Sequence, residues 1–279
     1  MAESIVVFIS GSSGAGKNTI INKLVENKSD YKFLVSNTTR AKRDSDRKVG
    51  QYKFVSKEEF EDKINKGLML EYDIFNGNYY GVDKESITSE KDNGIVLLKD
   101  LTVKGVLNCI DLLKDTLPMY SIFVTEKKGV LKKRLKLRGE SRKSIKDRLS
   151  VYSDEHRMIP FYNFLVQNTD LELSHRHVES VINTCRNNLP ILCGVSCQEI
   201  SEKEIEKVVG RIEKGRKIKD VVVASKNDRI YIVKNVNTYL AMQKLGLNTC
   251  LKFTNEDVKI DDSEQNQTEW LKIAKSYKK

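Results

Sequence analysis

The sequence feature that most constrains the fold is a glycine-rich loop close to the start of the chain. The apolar run Ile5–Ile9 leads directly into the loop, and apolar residues at helical spacing follow it in residues 19–25. A strand, a glycine turn and a helix in this order form a cradle for phosphate, because the glycines let backbone N–H groups converge on an anion and the helix start adds its dipole. The pattern therefore predicts nucleotide binding. The residues of this phosphate loop are Gly11, Ser12, Ser13, Gly14, Ala15, Gly16, Lys17, Asn18 and Thr19.

The end of the phosphate loop predicts how the outer phosphates and a metal ion are bound. Lys17 is expected to reach the outer phosphates of the nucleotide. The next position usually carries Ser or Thr, whose hydroxyl binds Mg²⁺, but Asn18 stands there with Thr19 behind it. An amide oxygen can face a cation, yet it is a neutral ligand. We therefore expect Mg²⁺ as the cofactor, with weaker support than usual from this position.

Charge is spread evenly along the chain, although the formal net charge of +10 at first suggests a nucleic-acid partner. Residues 186–279 hold 18 Lys and Arg against 13 Asp and Glu, and the preceding residues hold 31 against 26, so both parts carry +5. Neither part is a basic tail, and many cations of the first part fall in motifs that suit a polyphosphate substrate. Small-molecule nucleotides are therefore the predicted partners, and nucleic acid is the less favoured alternative.

The cysteines and histidines do not form a pattern typical of a disulfide framework or a zinc site. The five cysteines are odd in number and lack C-x-x-C spacing. His175 and His177 precede Cys185, but the surface of a helix explains their spacing better than a metal site does. No apolar run is long enough for a membrane span or a signal segment. We therefore expect no membrane partner and a reducing, cytoplasmic setting.

A polar segment and two strand-like segments follow the phosphate loop. The polar segment, Ser-Asn-Thr-Thr-Arg-Ala-Lys-Arg in residues 36–43, contains two arginines three apart, which suit bidentate binding of a phosphate. Residues 50–55 read Gly-Gln-Tyr-Lys-Phe-Val and alternate like a strand, and a capping box at Ser56 predicts the start of a helix. Residues 71–81 begin with a glutamate and end in Gly-Asn-Tyr-Tyr-Gly, which predicts a strand and a turn.

The order of these motifs resembles guanylate kinase. The resemblance continues through three arginines in a lysine-rich segment and an asparagine after the strand-like run 164–166, so it covers about residues 3–185. It implies that the chain transfers the γ-phosphoryl group of ATP to GMP with Mg²⁺. It also implies an α/β fold of the P-loop kinase type, with three layers in which helices flank a parallel sheet. The implied parts are a guanylate kinase-like domain over residues 1–186, a nucleoside-monophosphate-binding part at about 36–84 and a lid at about 127–158.

The resemblance also assigns roles to individual residues. Ser36 and Glu71 would read guanine, and the chemistry agrees for Glu71, because one carboxylate can accept hydrogen bonds from both the N1–H and the 2-amino group. Asp100 follows a buried strand at its carboxyl end, where a Mg²⁺-associated or substrate-positioning acid is expected. The lid arginines would neutralise the transferred group. The implied residues are the phosphate loop and Asn168 for ATP; Ser36, Arg40, Arg43, Tyr52, Glu71, Tyr80 and Asp100 for GMP; Lys17, Arg43, Arg134, Arg138 and Arg148 for catalysis; and Asn18 and Asp100 for the metal.

Three positions depart from the family pattern. Val82 stands where the family has a Ser or Thr that hydrogen-bonds guanine, Thr102 replaces a second acid after Asp100, and Asn18 replaces a hydroxyl beside the metal. These changes leave two alternatives, namely a kinase with an altered base preference, for dGMP or a modified purine, and a catalytically weak binding or regulatory protein. The cations retained in the phosphate loop and the lid favour a working kinase over a binding module.

Residues 187–279 predict a second, small α+β domain. Over about residues 195–255 its succession of elements resembles the ParB and sulfiredoxin-like fold. The turn at residues 234–237 lacks the glycine and the arginine of that family, so we expect a degenerate domain with a structural or regulatory role. The elements predicted from sequence are a strand at 191–195, a helix that begins after Ser201, a hairpin around residues 225–229, a helix at 238–245 and a strand at 250–253.

Overall fold

The protein forms two compact units. The computed structural model describes residues 3–42, 52–75, 77–113 and 116–277. The first unit comprises Met1–Ser10 and Ile21–Ser121, and the second comprises Gly11–Ile20 and Ile122–Lys279. The elements from the start of the chain to residue 125 are β1 (Ile5–Gly11), α1 (Lys17–Asn27), β2 (Tyr31–Phe33), β3 (Ser36–Thr38), β4 (Tyr52–Phe54), α2 (Lys57–Asn65), β5 (Met69–Phe75), β6 (Asn78–Asp83), α3 (Glu85–Thr88), β7 (Val96–Asp100), α4 (Val103–Leu113) and β8 (Met119–Thr125).

Parallel strands form the centre of the first unit. Strand β7 lies between β2 and β1 and pairs with both in parallel. The pairing with β1 runs from Ile5 opposite Val96 to Ile9 opposite Asp100. Most side chains of β1 and β7 are apolar and buried, as is typical of parallel strands that are covered on both faces. This pairing brings the carboxyl ends of β1 and β7 to the same edge of the sheet.

A small second sheet in the first unit has the strand order β4, β3, β6, β5. Strands β5 and β6 form an antiparallel hairpin in which Glu71 pairs with Val82. The Ser56 hydroxyl accepts a hydrogen bond from Glu59 N at 3.0 Å, which confirms the predicted helix start. The helix is followed by Gly67 at a φ of +66°, a left-handed conformation that glycine tolerates best.

The second unit contains six neighbouring strands. Each strand is hydrogen-bonded to its neighbours in the order β10 (Leu192–Cys193), β12 (Arg229–Lys234), β11 (Val221–Lys226), β13 (Leu251–Phe253), β9 (Phe164–Gln167) and β8. Strand β9 pairs in parallel with β8 on one side and with β13 on the other. Strands from both sides of residue 186 therefore belong to one sheet. The elements after residue 125 are α5 (Lys128–Leu137), α6 (Arg142–Ser150), α7 (Tyr152–Arg157), β9 (Phe164–Gln167), α8 (Leu171–Arg186), β10 (Leu192–Cys193), α9 (Glu202–Glu213), β11 (Val221–Lys226), β12 (Arg229–Lys234), α10 (Val236–Lys244), β13 (Leu251–Phe253) and α11 (Glu264–Tyr277).

Local sequence signals predicted the hairpin and the helix start in the last third of the chain. Strands β11 and β12 pair antiparallel around the turn Asn227-Asp228, whose φ angles are +49° and +55°. Asn and Asp tolerate such left-handed angles better than most residues do. Ser201 caps α9 by accepting a hydrogen bond from Glu204 N at 3.4 Å, as the capping-box pattern predicted.

The expectation that His175 and His177 lie on a helix surface is wrong. Both residues are in α8, as predicted, but their side chains are buried. His177 Nδ1 is 2.8 Å from Ser225 Oγ, and its ring stacks on Phe253 with ring centres 4.4 Å apart. Burial lowers the pKa of His177 to about 4, because the interior disfavours the charged form. The reason for the error is that strands after residue 186 cover this face of α8.

None of the helices that the structure describes is both long and apolar enough to cross a membrane.

Candidate active site

The phosphate loop has a backbone that only glycine can form at two positions. Gly11 has a φ of +126°, and a Cβ atom there would lie 2.0 Å from the carbonyl oxygen of Val124. Gly16 has a φ of +93°, and a Cβ atom would lie 2.5 Å from Asn168 Nδ2. Both the dihedral angles and the close neighbours therefore exclude a side chain. The result is a tight loop at the start of α1, as the sequence predicted.

Lys17 folds back over this loop. Its Nζ donates to the carbonyl oxygen of Gly11 at 2.6 Å and to that of Ser12 at 3.2 Å. These carbonyls hold the ammonium group beside the backbone that would cradle an anion. A phosphate would offer this cation a charged acceptor in place of neutral ones, and charge-assisted hydrogen bonds are roughly twice as strong as neutral ones. Lys17 is thus positioned as a phosphate ligand.

Two of the three predicted lid arginines contact the phosphate loop or the segment next to it. Arg148 Nη1 donates to Ser13 Oγ at 3.1 Å, and its Nε pairs with Glu140 at 2.7 Å. Arg134 Nη2 donates to the carbonyl oxygen of Asn168 at 2.8 Å. Arg138 caps the exposed end of α5 instead. Arg134 and Arg148 therefore bring two positive charges to the loop.

Asn168 fixes the loop from the end of β9. Its Nδ2 donates to the carbonyl oxygen of Ala15 at 2.7 Å, and its backbone N–H donates to Thr125 at 2.8 Å. Its Oδ1 is buried and has no protein partner in the part of the chain that the structure describes. A buried carbonyl oxygen without a partner is uncommon. This oxygen is available to accept from a bound ligand.

In the first unit, Glu71 lies against the start of α4. A Cβ atom on Gly105 would come within 3.2 Å of Glu71 Oε2, so the glycine leaves room for the carboxylate. The pKa of Glu71 is raised to about 7, mainly because burial disfavours its charged form, and also because of the charges of Asp73 and Asp100. Lys99 opposes this effect. A perturbed carboxylate beside polar residues is a typical mark of a binding site.

Residues predicted to bind the GMP phosphate also lie together in the first unit. The guanidinium carbon of Arg40 is 5.3 Å from the centre of the Tyr52 ring. The rings of Tyr52 and Tyr80 meet edge to face, with their centres 6.0 Å apart. Arg43, which we expected in the same group, lies outside the described residues. The described members provide one guanidinium group and two phenol groups that can bind phosphate oxygens.

The three departures from the expected pattern have distinct structural settings. Asn18 is exposed in the first turn of α1. Val82 is buried in β6, directly opposite Glu71. Thr102 accepts a hydrogen bond from Gly105 N at 3.1 Å and so caps α4. The threonine thus has a structural role in the place of the second acid.

Comparison with known proteins agrees with this geometry. The guanylate kinase family model matches residues 3–185. The chain belongs to the guanylate kinase family. It is 34% identical to the guanylate kinase of Neisseria gonorrhoeae over 183 residues, which are 65% of this chain and 88% of that protein. It is also 34% identical to the guanylate kinase of Helicobacter pylori over 187 residues, which are 66% of this chain and 89% of that protein.

A solved structure supports the fold. The guanylate kinase from Anaplasma phagocytophilum matches this chain with a TM-score of 0.53 and 25% identity, covering 66% of this chain and 90% of that one. The predicted α/β fold of the P-loop kinase type is therefore confirmed. The family match ends before the last third of the chain.

Sequence reasoning missed a group of residues beside the phosphate loop of this guanylate kinase family member. The carboxylate of Glu155 interacts with Lys17 and Ser12, and burial raises its pKa. Thr125 Oγ1 lies 3.2 Å from Ser12 Oγ and 3.0 Å from His156 Nε2. No local motif marks these residues, because folding brings them from distant parts of the chain to the loop. The sequence signal that could have found Glu155 is its place in the predicted lid, seven residues after Arg148.

A residue beyond the family match holds the segment around Asn168. Asn255 Nδ2 donates to the carbonyl oxygen of Gln167 at 2.9 Å and to Thr169 Oγ1 at 2.8 Å. These two acceptors flank Asn168 in the chain. The last third of the chain thus contacts the same segment that fixes the phosphate loop of the guanylate kinase part.

Proposed function

We propose that this protein transfers the γ-phosphoryl group of ATP to GMP and so forms ADP and GDP. The observation that carries the proposal is the convergence of Lys17, Arg134, Arg148 and Asn168 on a glycine-built phosphate loop. Phosphoryl transfer depends mainly on positioning and on stabilising charge at the phosphate oxygens. A backbone cradle with three cations is suited to that task. The membership of the guanylate kinase family supports GMP as the acceptor.

The residues divide the work between donor and acceptor nucleotides. The N–H groups of the phosphate loop and Lys17 would bind the β- and γ-phosphates of ATP. Arg134 and Arg148 would neutralise charge on the transferred group, and Asn168 Oδ1 would accept from the adenine amino group. In the first unit, Arg40, Tyr52 and Tyr80, together with Arg43, would bind the phosphate of GMP.

Mg²⁺ is the metal that we propose for ATP. Asn18 fits this role, because its side chain is exposed in the first turn of α1 and carries an amide oxygen. Mg²⁺ takes most of its ligands from phosphate oxygens and water and needs only one or two from the protein. Asp100 is the other proposed ligand. When bound, the ion would neutralise part of the negative charge that develops on the phosphates during transfer.

A panel of acceptor nucleotides tests the proposed reaction. The full-length protein is mixed with ATP, Mg²⁺ and one of GMP, dGMP, AMP, UMP or dTMP, and ADP release is followed in a coupled assay. We expect turnover with GMP well above that with AMP or the pyrimidines. A higher kcat/KM with dGMP would instead support an altered base preference. Binding of nucleotides without turnover of any acceptor would defeat the assignment as a kinase.

The affinity for GMP is expected to depend on pH through Glu71. The carboxylate must be ionised to accept from N1–H and the 2-amino group, and its pKa in the free protein is about 7. GMP affinity should therefore rise as the pH passes through 7, and should fall by up to about tenfold per pH unit well below it. The stability contribution of this group has the opposite sign, since it is fully present below pH 4.5 and is lost as the pH rises through 7.

Isothermal titration calorimetry between pH 5.5 and 8.5 checks this prediction. The phosphate of GMP itself titrates near a pH of about 6, so the wild type must be compared with Glu71→Gln. The glutamine variant should bind GMP more weakly and should show only the pH dependence of the phosphate. Identical pH profiles for both proteins would contradict the role of Glu71.

We propose that the enzyme acts in the cytoplasm, where ATP and GMP are available and where the five unpaired cysteines suit reducing conditions. We also propose that residues 1–186 carry the catalytic residues and that residues 187–279 are accessory. The contacts of Asn255 beside Asn168 support a structural or regulatory role for this accessory part.

A further inference from the structure

The side chain of Lys99 is almost fully buried in the first unit. It lies in β7 opposite Phe8 of β1, and only 2% of its surface is exposed. Burying an ammonium group is costly unless the group is paired and hydrogen-bonded. Leucine or methionine would fill the interior of a parallel sheet without that cost. The presence of a cation therefore has to be explained by the groups that it contacts.

These groups belong to the predicted base site. Lys99 Nζ donates to the carbonyl oxygen of Leu34 at 2.9 Å and to the hydroxyl oxygen of Ser36. Burial lowers the pKa of Lys99, and the charges of Asp100 and Glu71 oppose this effect. Lys99 thus interacts with both residues that were expected to read guanine, Ser36 and Glu71.

The hydrogen bond from Lys99 determines how Ser36 can act. A hydroxyl has one proton and two lone pairs, whereas an ammonium group can only donate. One lone pair of Ser36 is therefore taken, and its own proton must point away from Lys99. Ser36 is only 7% exposed, and among the described residues its hydroxyl has no acceptor. A buried hydroxyl proton needs an acceptor, which a bound base can supply.

We propose that Lys99 is a specificity-determining residue that positions Ser36 as a donor to the 6-carbonyl oxygen of a purine monophosphate, an assignment that rests on the proposed function. A 6-oxo purine offers an acceptor to this hydroxyl. A 6-amino purine offers donors instead, and these meet a buried positive charge. Val82 offers the base no hydroxyl from the neighbouring hairpin. Ser36, positioned by Lys99, therefore makes the contact with the 6-carbonyl edge of the base.

The test compares two nucleotides that differ at position 6. GMP carries the carbonyl group, whereas the monophosphate of 2,6-diaminopurine riboside carries an amino group there, keeps the 2-amino group for Glu71 and lacks the N1–H. The readout is therefore the change in preference that a variant causes, since Glu71 is the same in every variant. Dissociation constants for both are measured by calorimetry, and KM is measured for GMP and ATP. In Lys99→Met we expect the preference for GMP to fall by about 10-fold to 100-fold, through weaker GMP binding. The KM for ATP should stay unchanged.

Lys63→Met is the matched control. Lys63 Nζ donates to Asn37 Oδ1 at 3.3 Å and pairs with Asp83 at 2.9 Å. Lys63 is thus a partly buried lysine that contacts the same strand as Lys99 does, but at the residue after Ser36. A purely structural effect of losing a lysine would appear in both variants. We expect Lys63→Met to leave the preference for GMP unchanged.

A double variant tests whether Lys99 acts through Ser36. Ser36→Ala should itself lower the preference for GMP, and adding Lys99→Met should change it little further, because both substitutions remove the same contact. An unchanged preference in either single variant, or a full second loss in the double variant, would overturn the assignment. Lys99→Leu, which also removes the donor, replaces Lys99→Met if thermal unfolding shows that the methionine variant does not fold. Lack of GMP turnover by the wild type would instead defeat the proposed function, so the two failures are distinguishable.

Discussion

Replacement of Lys17 by alanine is expected to abolish measurable transfer from ATP while leaving the protein folded. The ammonium group donates to the backbone carbonyls of Gly11 and Ser12, and Lys17 is only partly buried, so its truncation leaves the apolar core intact. In the reaction the same cation would face charge on the β- and γ-phosphates. Removing one such preorganised donor typically lowers kcat by about 10²-fold to 10³-fold, and a full positive charge should reach at least the upper value.

The measurement is kcat for ADP release at saturating ATP and GMP. Lys133→Ala is the control, because Lys133 is an exposed lysine of α5 next to Arg134. It lowers the net charge by the same amount, so a general electrostatic effect would appear in both variants. Circular dichroism of each variant checks the fold. Transfer by Lys17→Ala at more than about a tenth of the wild-type rate would contradict the role of Lys17, since one lost decade corresponds to only about 1.4 kcal/mol.

The sequence was a good guide where a feature depends on neighbouring residues. The phosphate loop was predicted from its glycines, because a positive φ such as that of Gly11 leaves little choice of residue. The helix starts at Ser56 and Ser201 were predicted because a capping hydroxyl bonds only three residues ahead. Order and spacing then allowed roles to be assigned by family resemblance. These are all local or linear properties of the chain.

Long-range contacts could not be predicted in the same way. Lys99 reads as one polar residue at the end of an apolar strand, and its importance appears only when Ser36, 63 positions away, is found beside it. Asn168 and Ala15 are 153 positions apart. Glu155 also reaches the loop only through folding. The residues that tune a site are often identified by the surroundings that folding creates, which a single sequence does not contain.

The last third of the chain is the main structural finding beyond the family pattern. The sequence predicted its helices and its hairpin, but gave no signal that β13 would pair with β9. The register places Leu251 opposite Phe164 and Lys252 opposite Leu165. A parallel pair leaves no turn motif between its strands, because the connection is long. As a result, the accessory part extends the sheet of the second unit and is not a separate domain joined only by a linker.

Phe253→Ala is therefore expected to destabilise the protein strongly. Phe253 is 2% exposed at the end of β13, and its ring stacks on His177 and lies 6.3 Å from that of Phe164. Both neighbours precede residue 186, so the side chain joins the accessory part to the guanylate kinase part. Truncating a buried phenylalanine to alanine costs about 3–5 kcal/mol, because contacts are lost and a cavity remains. For a unit of this size we expect the unfolding midpoint to fall by roughly 6–20 °C.

Thermal unfolding followed by circular dichroism measures this effect, and Leu247→Ala is the control. Leu247 also follows the family match, but it is 42% exposed, so its truncation should change the midpoint by no more than about 2 °C. Because β13 pairs with β9, the strand that directly precedes Asn168, Phe253→Ala should also raise the KM for ATP more than the KM for GMP. A midpoint shift as small as that of the control would show that residues 187–279 do not stabilise the kinase part. In that case the accessory part would be dispensable for the fold. Any influence of the accessory part on ATP binding would then have to act through the contacts of Asn255 with Gln167 and Thr169.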